Sequence, residues 1–197
     1  IPVPEVICSI NEEPENIREN IRGNIKRGFP QVAPYESQDK VIALAVGGAT
    51  LEETFSDLMG KRKNGMPLVT VNGSHKYCMD RGLVPSAMVM LDSREFNSRF
   101  IYPLSKECKY FISSQCHPSA FDNLEGYKLW IWHCAGDTDN EDLLKEQYGN
   151  NYFPIMGGST VTLRAIHLFR MLGFSKFEVY GFDSCIIGQH HAYEQKE

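Results

Sequence analysis

An α/β fold, three layers deep around a mostly parallel sheet of about six strands, is predicted by three features of this 197-residue sequence. Val41-Ile-Ala-Leu-Ala-Val46 is an apolar run without alternation, as suits a strand covered by helices on both faces. Similar short runs recur along the chain, separated by turn residues and helical patterns. Their ends fall on small or polar residues: Gly47-Gly48, Asn72, Asp92, Gln115, His133 and Asp183.

The elements follow in order. After a short apolar run at Val6-Ile7-Cys8, Asn11-Glu-Glu-Pro-Glu opens a helix with acids in its first turn and proline in a tolerated position. Ile17, Ile21 and Ile25 form a narrow stripe that docks either on the domain or on a second copy of the chain, which leaves a homo-oligomer open. Gly28, Pro30 and Pro34 make 29–40 a linker, so 1–40 reads as a helical extension and 41–197 as the main domain. Gly47 and Gly48 turn the first strand into a helix at about 51–63, with Thr50 and Glu53 spaced as a capping box.

Further strands are read at 67–72, 87–92, 109–115, 128–133 and 177–180, with a short helix at 73–82 and a loop at Cys116-His117-Pro118. The polar segment 136–151, with a helix at about 141–148, interrupts the alternation, as insertions over a site do. Gly157-Gly158-Ser159-Thr160 opens a helix running to about Leu172. Its apolar face is Val161, Ala165, Leu168, Phe169 and Leu172, and Gly173 stops it.

Composition narrows the function. A net charge of -5 argues against duplex nucleic acid as the main partner. Apolar runs of about six residues fall far short of the roughly 18 needed to span a membrane. Six cysteines lack zinc spacing and read as reduced thiols; with no signal peptide visible, a cytoplasmic location is expected. The polar tail from Gln189 to Glu197 closes no element, so the chain reads as a fragment.

Open parallel sheets bind ligands beyond the carboxyl ends of their strands, where the polar residues named above converge. Gly47-Gly48-Ala49 could bring a backbone close to a nucleoside. Glu52 and Glu53, however, already place negative charge on that helix's first turn and oppose a phosphate there. Gly157, Gly158, Ser159 and Thr160 form the stronger anion cradle, because their helix begins with hydroxyls and no acid and carries Arg164 one turn in. Ser159 could also simply cap that helix. Asp92 and Asp183 are candidate ligands for Mg2+ bridging phosphates, although either could cap a loop or bond a ribose hydroxyl. His75 is a candidate for the cleft rim. Cys116 and His117 are adjacent but need not face each other, and His190 and His191 lie in the polar tail.

The series Val-Gly-Gly-Ala-Thr-Leu, Val-Thr-Val-Asn72, Gly82-Leu-Val-Pro85 to Asp92, Gly157-Gly158-Ser159-Thr160-Val and Gly173-Phe to Gly-Phe-Asp183 resembles the DUF115 family of MptE-like 6-hydroxymethylpterin diphosphokinases. That family includes the Maf flagellar accessory proteins, and the layout is more distantly similar to bacterial CMP-sialic acid sialyltransferases. The resemblance covers about 41–193. It implies a Rossmann-like domain with a nucleotide at Gly47, Gly48, Asn72 and the 157–160 turn, and Asp92 and Asp183 at the same edge. It also implies a transferase, with Asp92, Asp183 and Arg164 as the candidate catalytic groups. The first expectation is a diphosphokinase moving pyrophosphate from ATP to a pterin-like alcohol; the alternatives are a CMP-sugar glycosyltransferase or a non-catalytic nucleotide-binding domain. The turn departs from the family's Gly-x-Gly-Pro-Ser, and the sialyltransferases' catalytic histidine has no counterpart that can be placed here.

Overall fold

A computed structural model describes residues 12–136, 138–158 and 160–183. Val6-Ile7-Cys8, Ser159, His190 and His191 lie outside the described residues. Seven parallel strands form one sheet in the order β6-β5-β4-β3-β2-β1-β7. They are β1 (Gln38–Ala45), β2 (Leu68–Val71), β3 (Ala87–Met90), β4 (Lys109–Ser113), β5 (Lys128–Cys134), β6 (Pro154–Ile155) and β7 (Phe174–Tyr180). The helices are α1 (Pro14–Asn24), α2 (Leu51–Lys63), α3 (Ser74–Asp80), α4 (Pro118–Asp122), α5 (Thr138–Tyr148) and α6 (Val161–Met171). The Rossmann-like α/β architecture is therefore as the sequence predicts, with β6 as an added strand.

Alternate residues of the buried strands separate the two faces. On one, Met88, Met90, Tyr110, Ile112, Leu129 and Ile131 pack with Ile17, Ile21 and Ile25 of α1, Phe121 of α4 and Leu143 and Leu144 of α5. Ala43 and Ala45 on the same face take Leu51, Phe55 and Leu58 of α2 and Tyr77 and Cys78 of α3. On the other, Ile42, Leu44, Val69, Val71, Val89, Phe111 and Trp132 pack with Ala165, Leu168 and Phe169, so α6 is the one described helix there. The α1 stripe thus lies in the core of this chain.

Several boundaries differ from expectation. Residues 29–37 cross the sheet as a strap: Val32 N–H donates to the Ile131 carbonyl (3.0 Å) and Tyr35 N–H to Met171 at the end of α6 (2.9 Å). β1 starts at Gln38, inside the expected linker, because its polar end pairs with Phe174 of a longer β7. Pro118–Asp122 is helical rather than loop. His117 caps it, its Nδ1 accepting from Ser119 N–H. A 3-10 segment at Glu95–Ile101 follows β3. No described helix is long and apolar enough to cross a membrane.

Candidate functional site

The carboxyl edge of the sheet brings the expected residues into three groups. At the β1/β7 end, the two strands stay zipped past their last residues: Val46 N–H donates to Tyr180 carbonyl (2.8 Å) and Gly48 N–H to Gly181 carbonyl (2.9 Å). The Asp183 carboxylate then accepts from both the N–H (3.0 Å) and the hydroxyl of Thr50. This corrects the capping box, because Thr50 makes no side-chain cap bond to α2 and spends its hydroxyl on a partner 133 residues away. Gly48 is required by this closeness. A Cβ there would lie 2.5 Å from both Asp183 Oδ2 and Gly181 carbonyl oxygen. The start of α2 therefore holds an anion of the protein's own, besides Glu52 and Glu53.

In the middle stand Asn72, Asp92 and Gln115, each just past its strand. Asn72 has φ +44°, a conformation rare for a residue with a side chain and associated with functional sites when the surroundings enforce it. Its Oδ1 accepts from Leu91 N–H (3.3 Å), and its Nδ2 donors have no partner among the described residues. Gln115 Nε2 donates to the Leu91 carbonyl (3.1 Å), which links the β2, β3 and β4 ends. Asp92 accepts from Arg94 through Nε (3.1 Å), Nη2 (3.0 Å) and the backbone N–H (3.1 Å). Burial pushes the Asp92 carboxyl up, but hydrogen bonds from Arg94 and Asn97 outweigh it and hold it below the ordinary range.

At the β5/β6 end, Gly157 (φ +121°) and Gly158 (φ +73°) turn the chain into α6. A Cβ on Gly157 would lie 2.6 Å from the His167 ring, so this position also needs glycine. Thr160, rather than Ser159, is the N-cap, accepting from Leu163 N–H (3.4 Å). No acid lies in the first turn of α6. Arg164 donates from Nε to Gly158 carbonyl (2.8 Å) and from Nη1 to the carbonyls of Ala135 (3.1 Å) and Ile155. It thus shapes the turn, and Nη2 keeps its two donors free among the described residues.

Four candidates stand elsewhere. His75, in the first turn of α3, is fully buried. Its Nε2 must carry the proton, since it faces the Pro103 carbonyl (3.1 Å), and its Nδ1 accepts from the Thr70 hydroxyl (3.1 Å). Burial lowers its pKa to about 4. His133 points into the helical face against Tyr148, with Nε2 on Gln31 (3.2 Å), and burial lowers it to about 4 as well. Neither side chain is exposed at the edge. Cys116 is wholly buried, which raises its thiol well above the usual range, and His117 serves the α4 cap.

β3 and β7 have β2 and β1 between them. At about 4.8 Å per strand their axes lie about 14 Å apart, so Asp92 and Asp183 do not form one cation site. Among the described residues no group of three or more His, Cys, Asp or Glu side chains could hold a metal. The two glycine turns are farther apart still. β1 and β6 are five places apart, about 24 Å, so a ligand touching both would lie along the whole edge.

A family model described as 6-hydroxymethylpterin diphosphokinase MptE-like matches residues 15–189. The chain belongs to that family. The match covers the whole described edge. Among solved structures it is similar to the Maf glycosyltransferase from Magnetospirillum magneticum AMB-1, with a TM-score of 0.63 at 11% identity. That likeness, which shows the fold, covers 86% of this chain and 27% of the other. No curated protein matches the chain.

Two buried polar residues that the sequence did not single out are on α1. Asn20 Nδ2 donates to the carbonyls of Ser93 (3.2 Å) and Gln115 (3.1 Å), and Asn24 Nδ2 to those of Ser114 (2.9 Å) and Cys116 (2.7 Å). A signal was present: 17, 20, 21 and 24 share one helix face, which puts both asparagines on the buried side.

Proposed function

We propose that this chain is a nucleotide-binding transferase domain that holds phosphates on the start of α6 and the nucleoside along the middle of the carboxyl edge. The observation that carries the reading is the contrast between helix starts: α2 is met by Asp183, Glu52 and Glu53, whereas α6 has no acid in its first turn. Free N–H groups and the helix dipole there favour an anion. Gly157 and Gly158 bring the backbone close, Arg164 Nη2 can donate to a phosphate oxygen, and Asn72 Nδ2 to a base or ribose. Asp92 and Asp183 do not suit a shared Mg2+, so no step is assigned to that ion.

The family match supports, as the reaction, transfer of pyrophosphate from ATP to the hydroxyl of a pterin-like alcohol. The hydroxyl oxygen gives up its proton to water and bonds to the β-phosphorus, the bond from that phosphorus to the α-phosphate oxygen breaks, and AMP leaves. Such transfer depends on positioning and on stabilising charge over phosphate oxygens, which a helix start and an arginine supply. The Maf glycosyltransferase's fold favours a second reading, a CMP-sugar glycosyltransferase using the same edge.

Calorimetry with ATP plus magnesium and with CMP tests the proposal. Binding of ATP that weakens at least tenfold in Arg164→Gln supports the first reading, and binding of CMP alone supports the second. No heat from either overturns both.

A further inference from the structure

Where the chain leaves β3 and β4, backbone carbonyls lose their ladder partners and must find other donors. Four of them, on Ser93, Ser114, Gln115 and Cys116, are met by two carboxamides one helical turn apart on α1. Each asparagine uses both amide hydrogens, and Asn24 is fully buried while Asn20 is 9% exposed. α1 and the 3-10 turn that follows it are pinned by Arg18 to Asp142 of α5 and by Arg27 to Asp122 of α4. The loops are therefore referenced to a fixed helix rather than to solvent.

The bonds continue into the proposed site. Ser93 sits between Asp92 and Arg94, so the Asn20 contact fixes the peptide beside that ion pair. Gln115, held by Asn20 through its carbonyl, donates from its side chain to Leu91, whose N–H in turn occupies Asn72 Oδ1. That last bond fixes the Asn72 carboxamide and leaves both Nδ2 hydrogens for a ligand. The chain of contacts runs from α1 to the middle of the edge and reaches neither α6 nor the Gly157-Gly158 turn.

We infer that Asn20 is a positioning residue for the nucleoside half of the site, acting through Gln115 and Leu91 on Asn72 and through Ser93 on Asp92, while Asn24 braces the flanking Ser114 and Cys116 carbonyls. This rests on the proposed nucleotide-binding function. Loss of Asn20 should weaken recognition of the nucleoside and leave phosphate binding at α6 as it was, a split that general destabilisation would not produce.

The test uses the whole chain with Asn20→Ala and Asn20→Ser, the second keeping a single donor, at a temperature where circular dichroism shows each variant folded. Two probes are titrated: the nucleotide that the wild type binds, and inorganic pyrophosphate. The expected result is a nucleotide affinity about tenfold weaker in Asn20→Ala and intermediate in Asn20→Ser, with pyrophosphate affinity within twofold of wild type. Equal nucleotide affinity in all three proteins, or parallel loss of both probes, overturns the inference while leaving the functional reading standing. A wild type that binds no nucleotide overturns the reading and this inference with it.

Discussion

The two glycine turns read alike in sequence and do different work. Gly47-Gly48-Ala49-Thr50 and Gly157-Gly158-Ser159-Thr160 both join a strand to a helix through paired glycines and a threonine. The first is closed by the protein itself: Gly48 and Thr50 donate to β7's continuation, and Asp183 supplies the anion that the α2 dipole favours. At the second, Thr160 caps the helix locally, Arg164 gathers the surrounding carbonyls, and the first turn has no acid. A glycine pair therefore marks a close approach of backbone, and its neighbours decide whether the thing approached is a ligand or another strand.

Substituting the glycines gives the largest contrast. Gly48→Ala should lower stability by about 3 kcal/mol or more, because the new methyl meets a backbone carbonyl that cannot swing away. Gly158→Ala meets only a Leu163 methyl at 3.1 Å and strains φ, for about 1 kcal/mol. Urea unfolding of both variants checks the difference; equal losses would mean that the first turn is not sealed.

Acid acts on the scaffold that both turns share, and sets the baseline against which turn variants are judged. His75 and His133 are neutral when folded, with pKa about 4 against an ordinary 6.5. A depressed histidine pKa leaves stability fully present above pH 6.5 and removes it as pH falls toward 4. At pH 5 the loss should be about 2 kcal/mol per histidine. His75→Gln should flatten the pH dependence of the urea midpoint in that window, and an unchanged slope would show that His75 is not what titrates.

Asp183 distinguishes a latch from a catalytic group. As a latch, Asp183→Asn keeps its shape but loses charge-assisted bonds from Thr50 and the favourable charge at α2, lowering stability by about 1.5 kcal/mol. Unchanged stability with abolished turnover would instead assign it to the chemistry.

Much of this frame was legible in the sequence because buried parallel strands are unbroken apolar runs, and four of the seven, β2 to β5, begin within a residue of where the sequence places them. β6 was not, because two residues, Pro154 and Ile155, carry no period; they are a strand only by pairing with His133 and Cys134. Asp183 and Thr50 were both legible as special, but not as partners, since their bond spans 133 residues. His75 and His133 looked like site residues from their places near strand ends; the pleat and the α3 packing turn both inward. Asn20 and Asn24 carry no apolar signal beside Ile17 and Ile21, although the helical period places all four on one face.

The smallest effect falls on the two threonines, which occupy matching places in the turns. Thr50 gives its hydroxyl to a carboxylate on another strand, so Thr50→Ala should lower stability by about 1 kcal/mol, even though the residue is not a side-chain cap. Thr160 is exposed and makes a 3.4 Å cap bond, so Thr160→Ala should lower stability by only about 0.5 kcal/mol. If α6 is the phosphate site, Thr160→Ala should nevertheless weaken pyrophosphate binding by about threefold, because an unfastened first turn presents its N–H groups less well, whereas Thr50→Ala should leave that binding alone. Thermal unfolding and pyrophosphate titration of the same two proteins would show the effects crossed, stability with Thr50 and binding with Thr160. Parallel effects would mean that the two turns differ in sequence position and nothing else.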